Sequence, residues 1–173
     1  IESVPLQNLQ VGQLVRILRD ELVPADLVLL QSSEDDGLCY LETASIDGES
    51  NLKLRQAHSR TQNNSNNAKW IDALITCDAP NCEIYHFQGN LQEPLANTNN
   101  NALALSNNNF LPRGAVLVNT DWILGVVVYT GRDTKIMQNI RPAQRKRTKM
   151  DQLNDEQTGH IVLLLFLLVI ILF

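Results

Sequence analysis

Apolar residues come in short bursts over most of this chain and in one long block at its end. Runs rich in Val, Leu and Ile at 14–18, 27–30, 38–42, 52–56, 83–88, 115–118 and 123–129 are too short for helices. Gly, Pro, Asn or Asp bounds each of them, which predicts strands. The run at 27–30 is continuous and follows Val23-Pro24-Ala25-Asp26; the run at 83–88 alternates and closes on Gly89-Asn90. Residues 70–74 read equally well as a helical turn or a strand. Many short strands separated by turn signals predict a mainly β sandwich, jelly roll or partly closed barrel. After Tyr129 the pattern changes. Thr130-Gly131-Arg132-Asp133-Thr134 reads as a turn, with Asp133 or Thr134 placed to cap a short helix through Asn139. Arg141-Pro142 interrupts that helix, and a second one starts near 148–151, with Gly159 a point of local weakness.

The terminal block, residues 161–173, is apolar on every side. A surface helix would carry a polar stripe, and a membrane span needs about 20 apolar residues. The block therefore reads as the first part of a transmembrane helix. Arg141, Arg145, Lys146, Arg147 and Lys149 precede it, and the positive-inside tendency puts that basic cluster, and the domain before it, on the cytosolic side. The division that results is a β domain at 1–140, a basic linker and helix at 141–160, and the start of a membrane helix at 161–173.

Composition narrows the function. A chain of 173 residues suffices for one domain with a real core, and sparse aromatics leave Val, Leu and Ile to build it. The net charge of −5 excludes the basic face of a nucleic-acid binder. Cys39, Cys77 and Cys82 form an odd set without framework spacing, so reduced thiols are expected, and the opening residues show no secretory signal pattern. Two asparagine-rich stretches, at about 62–68 and at 97–109, lack core formers and read as exposed insertions. Cys77, Cys82 and His86 have ligand-like spacing but no fourth partner for structural zinc. His58 and His160 belong to no pattern. No Walker loop, nucleophile elbow or dinucleotide fingerprint is present, so no residue of the chain is expected to bind ATP.

One short segment offers a catalytic group. Asp47-Gly48-Glu49-Ser50 lies between two predicted strands, and an Asp-Gly pair suits a tight hairpin turn. Glu49 would then project from the tip. By itself the segment reads as a plain hairpin turn followed by a solvated glutamate.

Its neighbours decide between these. Val23-Pro24-Ala25-Asp26, then Asp47-Gly48-Glu49-Ser50, then Thr130-Gly131-x-x-Thr134 and a linker into a membrane helix resemble the actuator domain of P-type ATPases. Asp36-Gly37-Leu38-Cys39-Tyr40, Asn51-Leu52-Lys53, Tyr85-x-Phe87-x-Gly89-Asn90-Leu91, Arg113-Gly114 and Asn119-Thr120-x-Trp122 resemble the phospholipid-flippase branch, type IV. The likeness covers nearly the whole chain apart from the asparagine-rich stretches. Ser50 departs from it: flippases usually carry Thr there, and Ser is more familiar from cation pumps.

The resemblance implies a distorted jelly roll, or double-stranded β-helix, and a mechanism. An aspartate in a separate phosphorylation domain takes the γ-phosphate of ATP, and the actuator loop then reaches that aspartyl phosphate. Glu49 would orient the attacking water and accept its proton, with Asp47, Gly48 and Ser50 shaping the loop. Pro24, Asp26, Thr130, Gly131 and Thr134 would have structural and coupling roles. ATP and Mg2+ would be bound by domains outside this chain. The implied partners are the phosphorylation and nucleotide-binding domains, a phospholipid reached through the membrane domain, and an accessory β-subunit, with no nucleic acid. The protein would be an integral membrane protein with this domain on the cytosolic side; plasma membrane, Golgi and endosome are equally compatible. The actuator domain of a cation pump and a membrane-tethered β-rich binding module are the competing readings.

Overall fold

The structure, a computed structural model, describes residue 5 and residues 8–62, 73–92, 102–140 and 149–172. Contacts divide the chain into two units, Ile1–Ile140 and Arg141–Phe173.

The first unit is mainly β, with three antiparallel sheets among the described residues. Four strands, β1 (Leu14–Leu18), β2 (Asp26–Ser32), β8 (Phe110–Leu111) and β10 (Trp122–Tyr129), form a central sheet in the order β1-β10-β2-β8. On one side lies the sheet of β4 (Lys53–Gln56), β3 (Leu38–Glu42) and β9 (Val116–Val118). The third sheet comprises β5 (Leu74–Cys77), β6 (Gly89–Gln92) and β7 (Leu103–Leu105).

This layering explains the continuous apolar run at 27–30. Side chains alternate across a strand. Leu27 and Leu29 enter a core with Cys39, Leu41 and Leu117 of the second sheet. Val28 and Leu30 enter another with Phe87, Leu91, Leu103 and Leu105 around the third. Every residue of β2 is buried, as expected of a strand covered on both faces. Along β10, Ile123 and Val127 face the first core, and Val126 and Val128 the second. Gly125 sits where the β10–β2 register shifts. A Cβ there would lie 3.1 Å from the Val28 carbonyl oxygen and 3.2 Å from Leu27 Cβ, so the close approach of the two strands favours glycine.

Several sequence expectations need correction. Residues 83–88 form no strand. Tyr85 and Phe87 would share one face of a strand, yet Phe87 enters the core while Tyr85 stays out, and the strand begins only at Gly89. The stretch at 97–109 is not simply an exposed insertion: within its described part, 102–109, Leu103 and Leu105 are buried in β7. Ser106 then starts a 3-10 turn, Asn107–Asn109, with reciprocal capping bonds to Asn109. Asn109 is itself buried and donates to the Gln56 carbonyl at 2.8 Å. Gln62 closes the helical turn α2 (Ser59–Gln62) and bonds Ser32 and Glu34 backbone. Residues 63–68 and 93–101, Arg141 and Pro142 lie outside the described residues.

After β10, a 3-10 turn at Gly131–Asp133 leads to α3 (Lys135–Asn139). Thr134 stands at the N-cap position without a capping bond from its side chain; its hydroxyl donates instead to the Gly131 carbonyl at 2.9 Å.

The second unit contains α4 (Lys149–Leu172), which runs unbroken through Gly159. By length and composition it can cross a membrane. Its described apolar residues from 161 onward are all exposed, as expected of a helix that faces lipid.

Candidate active site

The Asp47-Gly48 step is not a hairpin turn. Residues Ala44–Asp47 form one helical turn, α1, which Gly48 ends in the left-handed conformation at φ +76°, its N–H donating to the Ala44 carbonyl at 3.0 Å. This is a helix C-cap. A Cβ on Gly48 would meet nothing within 4 Å, so only the backbone angle calls for glycine. Strands β3 and β4 do pair, Leu38 with Gln56 through Leu41 with Lys53, but a helical turn rather than a tight turn joins them. Ile46 packs onto the first core and Ser45 donates to the Gly114 carbonyl at 3.0 Å, which seats α1 on the domain.

Asp47 and Glu49 differ in environment. The Asp47 side chain is 9% exposed and that of Glu49 is 53% exposed. Asp47 Oδ1 accepts the Glu49 N–H at 2.9 Å, the Thr43 hydroxyl lies 3.2 and 3.1 Å from its two oxygens, and the Tyr85 hydroxyl donates to Oδ2 at 2.9 Å. The Glu49 N–H above all, together with the Tyr85 and Thr43 hydroxyls and the Lys53 charge, holds the Asp47 carboxyl below its ordinary range. Lys53 Nζ pairs with Glu49, lies 3.8 Å from Asp47 Oδ2, and stands 5.8 Å from the centroid of the Tyr85 ring. Its own pKa is raised, chiefly by the bond to Glu49. Asp47 is thus a fixed anion that shapes the loop, and Glu49 is the carboxylate presented outward. Ser50 follows it, exposed.

Asp26, Thr130, Gly131 and Thr134 belong to a second cluster. Asp26 opens β2 and is fully buried. One oxygen accepts the Arg113 N–H at 2.8 Å and the other the Lys135 N–H at 2.7 Å. Burial raises its pKa, against the lowering effect of those bonds and of the two cations. Pro24, half-buried, precedes it in the turn that enters the strand. Arg113 Nη1 donates to the Gly131 carbonyl at 3.2 Å, and the Asp133 N–H to that of Thr130 at 3.0 Å. Thr134 and Lys135 are fully buried. The Lys135 ammonium donates to Asn81 Oδ1 at 2.6 Å and lies 5.7 and 5.9 Å from the Phe110 and Tyr129 ring centroids. Burial lowers its pKa against the charge of Asp26.

Two chains of contacts join the clusters. One passes from Asp26 through Arg113 and Gly114 to Ser45 on α1; the other passes from Lys135 through Asn81 and along the 81–85 segment to Tyr85 and Asp47. Lys53, Tyr85, Arg113 and Lys135 are the partners that motif reading did not single out. Three lay within quoted motifs, but only folding brings Tyr85 to Asp47. Among the described residues, no group of three or more His, Cys, Asp or Glu is placed to hold a metal ion. Cys39 is buried, and burial pushes its thiol up to about 12.

Residues 1–144 match the family of P-type ATPase actuator domains, and the chain belongs to that family. It is 42% identical over 168 residues to the phospholipid-transporting ATPase IK of Mus musculus, which covers 95% of the chain. It is 43% identical over 148 residues to the phospholipid-transporting ATPase ID of Homo sapiens, covering 84% of the chain, and 35% identical over 172 residues to the phospholipid-transporting ATPase DRS2 of Saccharomyces cerevisiae, covering 95%. The chain spans 12% of the length of each of these relatives.

Proposed function

We propose that this actuator domain serves an ATP-driven phospholipid pump, in which Glu49 catalyses hydrolysis of an aspartyl phosphate and the domain couples that step to lipid movement from the exoplasmic to the cytosolic leaflet. The exposed Glu49 carboxylate beside a fully engaged Asp47 is the observation that carries the reading. When the loop meets the phosphorylated domain, Glu49 accepts a proton from water as its oxygen attacks phosphorus in line. The acyl phosphate P–O bond breaks, releasing phosphate and regenerating the aspartate. Lys53 must release Glu49, or shift with it, for the carboxylate to reach the water. ATP and Mg2+ are used on other domains of the same polypeptide, with an accessory β-subunit as a further partner. The domain works on the cytosolic side of the membrane. Phospholipid as cargo is supported by the names of the relatives.

The test is Glu49→Gln in the full-length pump. The phosphoenzyme is expected to form from ATP at the normal level and then to decay about 10²- to 10⁴-fold more slowly, the range of a lost general base. Lipid transport is expected to stop with it. Normal decay in this variant would refute the role given to Glu49.

A further inference from the structure

We propose that Tyr85 is a positioning residue for Glu49, acting through Asp47; this rests on the role given to Glu49 above. The carboxylate of Asp47 has two oxygens and must turn Oδ1 toward the Glu49 N–H, which it meets at 2.9 Å. The Thr43 hydroxyl lies 3.2 and 3.1 Å from the two oxygens and so does not choose between them. The Tyr85 hydroxyl donates to Oδ2 alone, at 2.9 Å. That bond, the only hydrogen bond among those described that reaches Oδ2 alone and shorter than the 3.8 Å approach of Lys53 Nζ to the same oxygen, fixes the rotation of the carboxylate and leaves Oδ1 for the loop.

Tyr85 can do this because its segment is pinned although it forms no strand. The Tyr129 hydroxyl donates to the Asp78 carbonyl at 2.6 Å, and Lys135 holds Asn81. Two residues beyond Tyr85, Phe87 is buried and stacks on Phe110 with ring centroids 4.7 Å apart. Between these anchors the Tyr85 residue is 56% exposed. A largely open ring contributes little burial, and apart from its face toward the Lys53 ammonium, 5.8 Å from the centroid, the fixed hydroxyl is what the position supplies.

Tyr85→Phe in the full-length pump removes only that hydroxyl, and phosphorylation from ATP in the same membranes reports whether the protein is folded. Phosphoenzyme is expected to form normally and to decay roughly tenfold more slowly, short of the loss at Glu49. Tyr85→Leu, which also removes the ring, is expected to match Phe. Because the effect passes through Asp47, the Tyr85→Phe/Asp47→Ala double variant is expected to decay no more slowly than Asp47→Ala alone. Decay of Tyr85→Phe within about twofold of wild type overturns the proposal, and so does a double variant slowed by the product of the single effects. A Leu variant much slower than Phe overturns it too, by placing the effect in the ring. If Glu49→Gln stalls while Tyr85→Phe decays normally, only the positioning role fails; if both decay normally, the role of Glu49 fails with it.

Discussion

Replacing Asp26 by alanine tests what holds the base of this domain together. The carboxylate is fully buried and satisfies two backbone N–H groups, those of Arg113 and Lys135, at 2.8 and 2.7 Å. Alanine leaves both donors without that partner, at about 1–3 kcal/mol each, for an expected loss of about 4 kcal/mol. That is a large part of the 5–15 kcal/mol that typically holds a domain folded. Urea unfolding of residues 1–140, followed by tryptophan fluorescence, measures it. With a slope of about 2 kcal/mol per molar, the midpoint is expected to fall by about 2 M. Asn at this position keeps one carbonyl oxygen but turns an NH2 donor toward the other N–H, so it is expected to lose nearly as much as Ala. The pH dependence has a definite sign. The native pKa of Asp26 is raised by burial, so the folded state binds its proton more readily than the unfolded one. The stability linked to that proton is present below the unfolded pKa of about 3.8 and is lost as pH rises through the native value. The gap between wild type and Asp26→Asn is therefore expected to be wider near pH 4 than near pH 7. An alanine variant within about 1 kcal/mol of wild type would show that water replaces the carboxylate at no net loss, and the bracing argument would fail.

Two further substitutions separate backbone from side-chain effects. Gly48→Ala meets no steric obstacle but must adopt φ +76°, so it is expected to lower stability by about 1–2 kcal/mol, with Gly48→Asn less harmful; equal midpoints for Ala and Gly would refute this. Asn109→Ala removes the bond to the Gln56 carbonyl and the capping bonds to Ser106, and is expected to lower stability by about 1–3 kcal/mol, while Asn108→Ala, at an exposed position, changes it by less than about 0.5 kcal/mol. Similar effects at both positions would mean that the asparagines act by composition alone.

Much of the β architecture was readable because strand-length apolar runs with turn signals leave few alternatives. The run at 27–30 even carried the information that β2 is covered on both faces. What could not be read depended on contacts distant in sequence. Tyr85 and Phe87 have the spacing of one strand face, yet side-chain anchors at Asn81 and Phe87, rather than a ladder, set their path. Asparagine count marked 97–109 as an insertion, but burial of Leu103, Leu105 and Asn109 depends on the sheet and on Gln56, far away in the chain. Asp47-Gly48 signals either a hairpin or the end of a helix, and Thr43-Ala44-Ser45 before it gave no strong helical bias. Glu49 stood out from its motif, whereas Lys53 and Tyr85 became visible as partners only in three dimensions.

Lys135 grips the domain at two points, its N–H on Asp26 and its ammonium on Asn81, and each point leads by its own strut to α1, one to Ser45 and the other to Asp47. A single strut would let the loop swing about it; two make a triangulated frame with no free joint. The α1 loop and the buried cluster at Asp26 and Lys135 are therefore braced as one frame.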